Sequence, residues 1–150
     1  MKTLLFFFII NICTYINTVK PYGSKSNLNI IEAYLQAKQK SLQEDATRED
    51  VEKTLDFYSD TLYYEHVLSS EKKFIFQGKN DLRNGYIAHL GETRNVKIIL
   101  LNSIERQNII VAEYSVKREI ISTAKTENDK VVSFFEFDKS GKIKRMTDYL

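Results

Sequence analysis

Residues 131–150 read Val131-Val132-Ser133-Phe134-Phe135-Glu136-Phe137-Asp138-Lys139-Ser140-Gly141-Lys142-Ile143-Lys144-Arg145-Met146-Thr147-Asp148-Tyr149-Leu150, two apolar-rich runs around a polar turn. Lys139-Ser140-Gly141-Lys142 supplies the small and polar residues of a tight hairpin. Val131 to Asp138 and Ile143 to Leu150 therefore read as paired antiparallel strands. Successive side chains of a strand face opposite ways, which puts Val131, Ser133, Phe135 and Phe137 together with Ser133 the polar exception. Upstream, Val96 to Ile104 and Ile109 to Ile121 read as two more strands. Glu105-Arg106-Gln107-Asn108 and Thr126-Glu127-Asn128-Asp129 are the expected turns between strands.

Ahead of this meander the period changes. Ile30, Ile31, Tyr34, Leu35 and Leu42 make one helical stripe. Thr47 with Asp50 forms a capping box, opening a short second helix with Val51, Leu55 and Tyr58 at i, i+4 and i+7. Leu62, Tyr64 and His66 then alternate as a strand does, and polar residues 69–73 make the loop that follows. After the short apolar run Phe74-Ile75-Phe76, Gly78 and Asn80 open a third helix carrying Leu82, Tyr86 and Leu90, which Gly91 closes. Helices followed by an antiparallel meander indicate an α+β fold with the helices on one face of the sheet.

The chain has 150 residues and a formal charge of +2, and residues 1–23 carry Lys2 and Lys20 without any acid. Met1-Lys2-Thr3 followed by Leu4-Leu5-Phe6-Phe7-Phe8-Ile9-Ile10 has the layout of a secretory signal peptide, too short to span a bilayer. The expectation is a leader over 1–23, a secreted or periplasmic destination, no stable membrane span after cleavage, and one domain over 24–150. That domain is formally neutral, so it lacks the electrostatic footprint of nucleic-acid binding. The sole cysteine, Cys13, falls in the leader, which removes disulfide and thiolate chemistry from the domain. Two histidines with no HxxxH or HExxH spacing give no metal site, and no glycine pattern for nucleotides or GxSxG elbow occurs. No cofactor is expected.

Three stretches carry a resemblance: Phe57-Tyr58-Ser59-Asp60 before the first strand, Gly78-Lys79-Asn80-Asp81-Leu82 opening the third helix, and Phe135 to Ile143 in the last hairpin. In their order and spacing, residues 28–150 resemble the NTF2-like superfamily, which includes SnoaL-like cyclases and ketosteroid isomerases. The resemblance implies a cone-shaped half-barrel, with N-terminal helices packed on a curved, mainly antiparallel sheet. It further implies an inner pocket for a small, mostly apolar molecule and a homodimer formed through the outer sheet face. Ketosteroid isomerases use a carboxylate base on the first strand, a tyrosine and a protonated aspartic acid. Carried over, these positions hold His66, Tyr34 and Ser133, so one of three keeps its type. A serine hydroxyl is a weaker acid than a carboxyl group, which makes steroid isomerisation itself a poor expectation.

Imidazole nevertheless takes and gives protons near neutral pH, and His66 shares its strand face with Leu62, Tyr64 and Leu68. His66, Tyr34 and Ser133 are thus the candidate catalytic residues, with Tyr64, Leu62, Phe135, Tyr58 and His89 expected to line the pocket. Three functions follow: a pocket domain binding a small apolar molecule, an isomerase, cyclase or dehydratase with His66 as base on a carbonyl-activated C–H, and a dimeric accessory domain with a vestigial pocket. For each polar candidate the plainer alternative is a side chain satisfied by its own neighbours.

Overall fold

A single carboxylate closes the last hairpin. Asp138 Oδ1 accepts from the Ser140 amide at 2.8 Å, the Ser140 hydroxyl at 2.6 Å and the Lys142 amide at 3.0 Å. Gly141 beside it has φ +79°, a left-handed conformation that side chains with a Cβ adopt at a cost. A computed structural model describes residues 26–69 and 72–150 of the chain, so the leader expected over 1–23 lies outside the described residues. The elements are α1 Asn27–Ser41, α2 Arg48–Leu55, β1 Tyr58–Val67, β2 Lys73–Gln77, α3 Lys79–Ala88, β3 Thr93–Arg106, β4 Ile109–Ile120, β5 Lys125–Phe137 and β6 Ile143–Tyr149.

The six strands lie in the order β2-β1-β6-β5-β4-β3, antiparallel except for the β1–β6 pair, which is parallel. The sheet is not closed. Helix α1 and the turn after it support the edge strand β3 through side-chain amides: Gln39 of α1 accepts from the Ile98 amide at 2.7 Å, while Gln43 takes the Val96 amide at 3.2 Å and donates to the Val96 carbonyl at 2.9 Å. The amide and carbonyl of Val96, left over where β3 shifts register between Arg94 and Lys97, are thereby satisfied.

Helix α2 begins at the expected capping box, with the Thr47 amide donating to Asp50 at 2.9 Å and the Asp50 amide to Thr47 Oγ1 at 3.3 Å. It stops at Leu55, and Tyr58 opens β1 instead of continuing the helix. Helix α3 sits so close to β2 that a Cβ on Gly85 would stand 3.0 Å from the Phe76 ring. Buried Ile31, Leu55, Tyr58, Phe135, Ile143 and Met146 tie α1 and α2 to the inner sheet face. Full burial of such side chains contributes about 1.5–3 kcal/mol each.

One expected turn is corrected. Thr126-Glu127-Asn128-Asp129 is not a turn but part of β5, paired with 116–119 of β4, and the chain reverses at 121–124. Cross-strand charge explains this: Arg118 reaches Glu127 at 2.8 Å and Asp129 at 3.1 Å, an attraction that polar composition alone conceals. Among the described residues no helix is long and apolar enough to cross a membrane.

Candidate functional site

Strand register brings the chemistry together. His66 of β1 is the Cα partner of Asp148 in β6, and Asp148 is the partner of Ser133 in β5. The row continues to Ala112 in β4. One row further along the cone, Tyr64, Met146, Phe135 and Ile110 form an apolar counterpart. Each row faces the helices because alternate residues share a face.

Asp148 stands at the centre, 1 % exposed. Tyr64 donates to its Oδ2 at 2.7 Å, and Ser133 Oγ donates to its Oδ1. Lys38 Nζ from α1 lies 3.5 Å from Oδ2, and His66 Nδ1 lies 3.7 Å away. Tyr114 extends the network, 3.0 Å from Ser133 Oγ and 3.5 Å from Lys38 Nζ. Burial by itself works against a charge on Asp148; Lys38, with His66 nearby and hydrogen bonds from Ser133 and Tyr64, outweighs it and holds the carboxyl below its ordinary value. Burial likewise opposes the Lys38 charge, and Tyr114 and Asp148 override it to hold the ammonium above its ordinary value. Burial pushes the Tyr114 hydroxyl up to about 12, so it serves as a neutral donor at pH 7.

Of the expected catalytic residues, His66 and Ser133 both meet Asp148. Tyr34 belongs to the layer beneath: it accepts from Tyr58 at 2.8 Å, and its hydroxyl lies 3.7 Å from Met146 Sδ. Ser133 and Tyr34 are fully buried, while the His66 side chain keeps 27 % exposure. Tyr64, Leu62, Phe135 and Tyr58 all lie in the core beside the cluster. His89 is elsewhere, 73 % exposed at the end of α3 and 2.8 Å from Glu92.

The order His66–Asp148–Ser133 differs from a hydrolytic triad, since the carboxylate separates the other two. His66 and Ser133 sit two strand spacings apart, about 10 Å, and an activated serine needs its base within hydrogen-bond reach. No group of three or more His, Cys, Asp or Glu that would hold a metal occurs among the described residues. Beneath the helices the inner face is packed with buried Tyr34, Tyr58 and Tyr114, and two surface depressions of about 420 Å³ each lie on the outer face.

No protein-family model and no curated protein sequence matches the chain. Solved structures do. An NTF2-like protein from Exiguobacterium sp. 255-15 superposes with TM-score 0.63 at 9% identity, over 79% of this chain and 95% of that one. The fold is NTF2-like. A Mycobacterium tuberculosis LEH-like epoxide hydrolase shares that fold with TM-score 0.63 at 20% identity, over 82% of this chain and 80% of that one. A second M. tuberculosis protein, in complex with estradiol-17β-hemisuccinate, matches with TM-score 0.65 at 16% identity, over 83% and 92%. A protein of ketosteroid isomerase-like fold from Catenulispora acidiphila, in complex with trimethylamine, matches with TM-score 0.64 at 10% identity, over 81% of this chain and 84% of that one.

Neither Lys38 nor Asp148 is among the candidates that the sequence singles out. Both had a signal. Lys38 falls at i+3 from Leu35, i+4 from Tyr34 and i+7 from Ile31, inside the apolar stripe where a lysine is out of place. Asp148 lies two residues from Met146 on the inward parity of β6.

Proposed function

We propose that this NTF2-like domain binds a small, mostly apolar molecule against the inner sheet face, at the end where His66 is exposed. The observation that carries the reading is the Asp148 cluster: a buried, charge-balanced network set among tyrosines and ending at a partly exposed imidazole. Ligand sites have this composition, mostly apolar walls with few convergent polar groups. Phe74, the cross-strand partner of His66, is 48 % exposed and adds an apolar lip, and Phe76 stacks on Tyr64 at 5.5 Å. The steroid derivative held by one neighbour makes the uncharged parent steroid, estradiol, a suitable first probe. Native mass spectrometry of the purified protein is expected to reveal a co-purifying small molecule that His66→Ala retains less well. Absence of any bound molecule, with no response to the probe, removes the reading and leaves an accessory domain with a vestigial pocket.

A second reading is an isomerase, cyclase or dehydratase in which His66 abstracts a proton beside a carbonyl. The approach of His66 Nδ1 to Asp148 favours it, because a base acts best when a third group orients it. Turnover of enolisable ketones that disappears in His66→Ala is the deciding measurement.

The proposal includes export of the domain by a leader over 1–23 to a secreted or periplasmic location, supported by the charge-then-apolar layout of that segment. It also includes a homodimer through the outer sheet face, supported by exposed Val111, Val132 and Tyr149 around half-buried Phe134. Sedimentation of Val132→Asp against the parent protein tests the dimer, which the charge is expected to dissociate.

A further inference from the structure

The proton positions around His66 follow from counting donors. Tyr64 has one hydroxyl proton, and the 2.7 Å contact commits it to Asp148 Oδ2. Its oxygen is then an acceptor where it meets His66 Nδ1 at 3.2 Å. Asp148 Oδ2, 3.7 Å from the same nitrogen, also offers only lone pairs. A lone pair on Nδ1 would face two acceptors, whereas a proton there is attracted to both. Nε2 then carries the lone pair on the other side of the ring, and no described residue donates to it.

We propose that Asp148 and Tyr64 are positioning residues that hold His66 in its Nδ1–H form, making Nε2 the proton acceptor for an uncharged small molecule bearing a polarised O–H, N–H or carbonyl-activated C–H. Lack of net charge in the ligand follows from Lys38. Its ammonium, 3.5 Å from Asp148, already balances the carboxylate, and the nearby Tyr64 and Tyr114 are neutral. Of the charged residues on the adjoining strand segments, Glu65 and Lys73 are paired with each other at 2.9 Å, and Lys72 Nζ lies over the Phe74 ring at 5.8 Å. For a C–H substrate, the C–H electron pair moves into the carbonyl as an enolate while the proton passes to Nε2. The imidazolium so formed is stabilised by Asp148 and returns the proton to the product.

The assignment deepens the pocket reading and rests on it for the ligand, yet the tautomer is measurable without any ligand. Long-range proton–nitrogen correlation on the full chain resolves two imidazoles, His66 and His89, which His89→Gln tells apart. His66 is expected predominantly as Nδ1–H at neutral pH. In Asp148→Asn an amide group facing Nδ1 turns part of the population to Nε2–H, and Tyr64→Phe does so to a smaller extent. Predominance of Nε2–H in the parent protein, or a population unchanged in both variants, overturns the proposal. If Asp148→Asn does not fold, the parent protein and Tyr64→Phe decide. Added phenol is expected to move the His66 Nε2 resonance and benzoate is not. Movement by benzoate alone overturns the uncharged-ligand assignment, and movement by neither overturns the pocket reading while the tautomer result stands.

Discussion

The two faces of β5 and β6 are inverted relative to ordinary surface chemistry. Facing inward, Ser133 and Asp148 are buried polar groups; facing outward, their immediate neighbours Val132 and Tyr149 are 43 % and 52 % exposed. A chain selected for stability alone places carboxylates in water and apolar groups in the core. Departures from that pattern mark places where a sequence serves another requirement. On the inner face the requirement is a polar anchor within an aromatic lining; on the outer face it is the contact with a second copy proposed above.

The comparison breaks most readily at Asp148. Removing one partner of a buried pair leaves an uncompensated charge, so Asp148→Leu is expected to cost about 3–5 kcal/mol. Urea unfolding measures the loss. Adding Lys38→Met to Asp148→Leu removes the stranded ammonium and is expected to recover part of it. The remainder stays lost because Tyr64 and Ser133 still lack their acceptor, at about 1–3 kcal/mol for each buried hydroxyl. If the double variant is no more stable than Asp148→Leu, the Lys38 charge is not what the carboxylate holds.

Acid sharpens the same contrast. Although burial opposes its charge, Lys38 and the surrounding donors hold Asp148 below the ordinary value of 3.8. A depressed carboxyl stabilises the fold fully above its unfolded value, and that contribution is lost as pH falls through the folded value. The parent protein is therefore expected to keep this contribution down to about pH 4 and lose it below. In Lys38→Met burial acts with less opposition, so the loss begins at higher pH. Chemical denaturation at a series of pH values reads the onset, and coincident profiles for the two proteins contradict the role given to Lys38.

Much of the fold was legible because periodicity and turn chemistry act locally. The capping box at Thr47, the alternation of Leu62, Tyr64 and His66, and the hairpin before Ile143 each depend on neighbours within a few residues. His66 and Ser133 stood out as polar residues on apolar faces. The group that joins them did not, because Asp148 meets His66 through a parallel pairing 82 positions apart in sequence, and Lys38 arrives from a helix. Register between distant strands is a tertiary property, and no local pattern states it. The misplaced turn at 126–129 has the same origin, since those polar residues are strand only through their partners on β4.

The smallest effect is expected where charge sits on the wet part of the same strand. Arg118 lies four residues beyond Tyr114 on β4, so it shares that side chain's parity. It pairs with two carboxylates, one more than Lys38 does, and its side chain is 32 % exposed with partners at 30 % and 34 %. By count of charges it should matter more than Lys38. Water screens each attraction and already solvates the ions, so Arg118→Ala is expected to cost only about 0–1 kcal/mol. Added salt should shrink even that difference, while leaving the loss in Asp148→Leu largely unchanged, because buried pairs are screened much less. A cost for Arg118→Ala equal to that of Asp148→Leu would mean that burial does not separate the two clusters, and the distinction between the dry and wet ends of this sheet would fail.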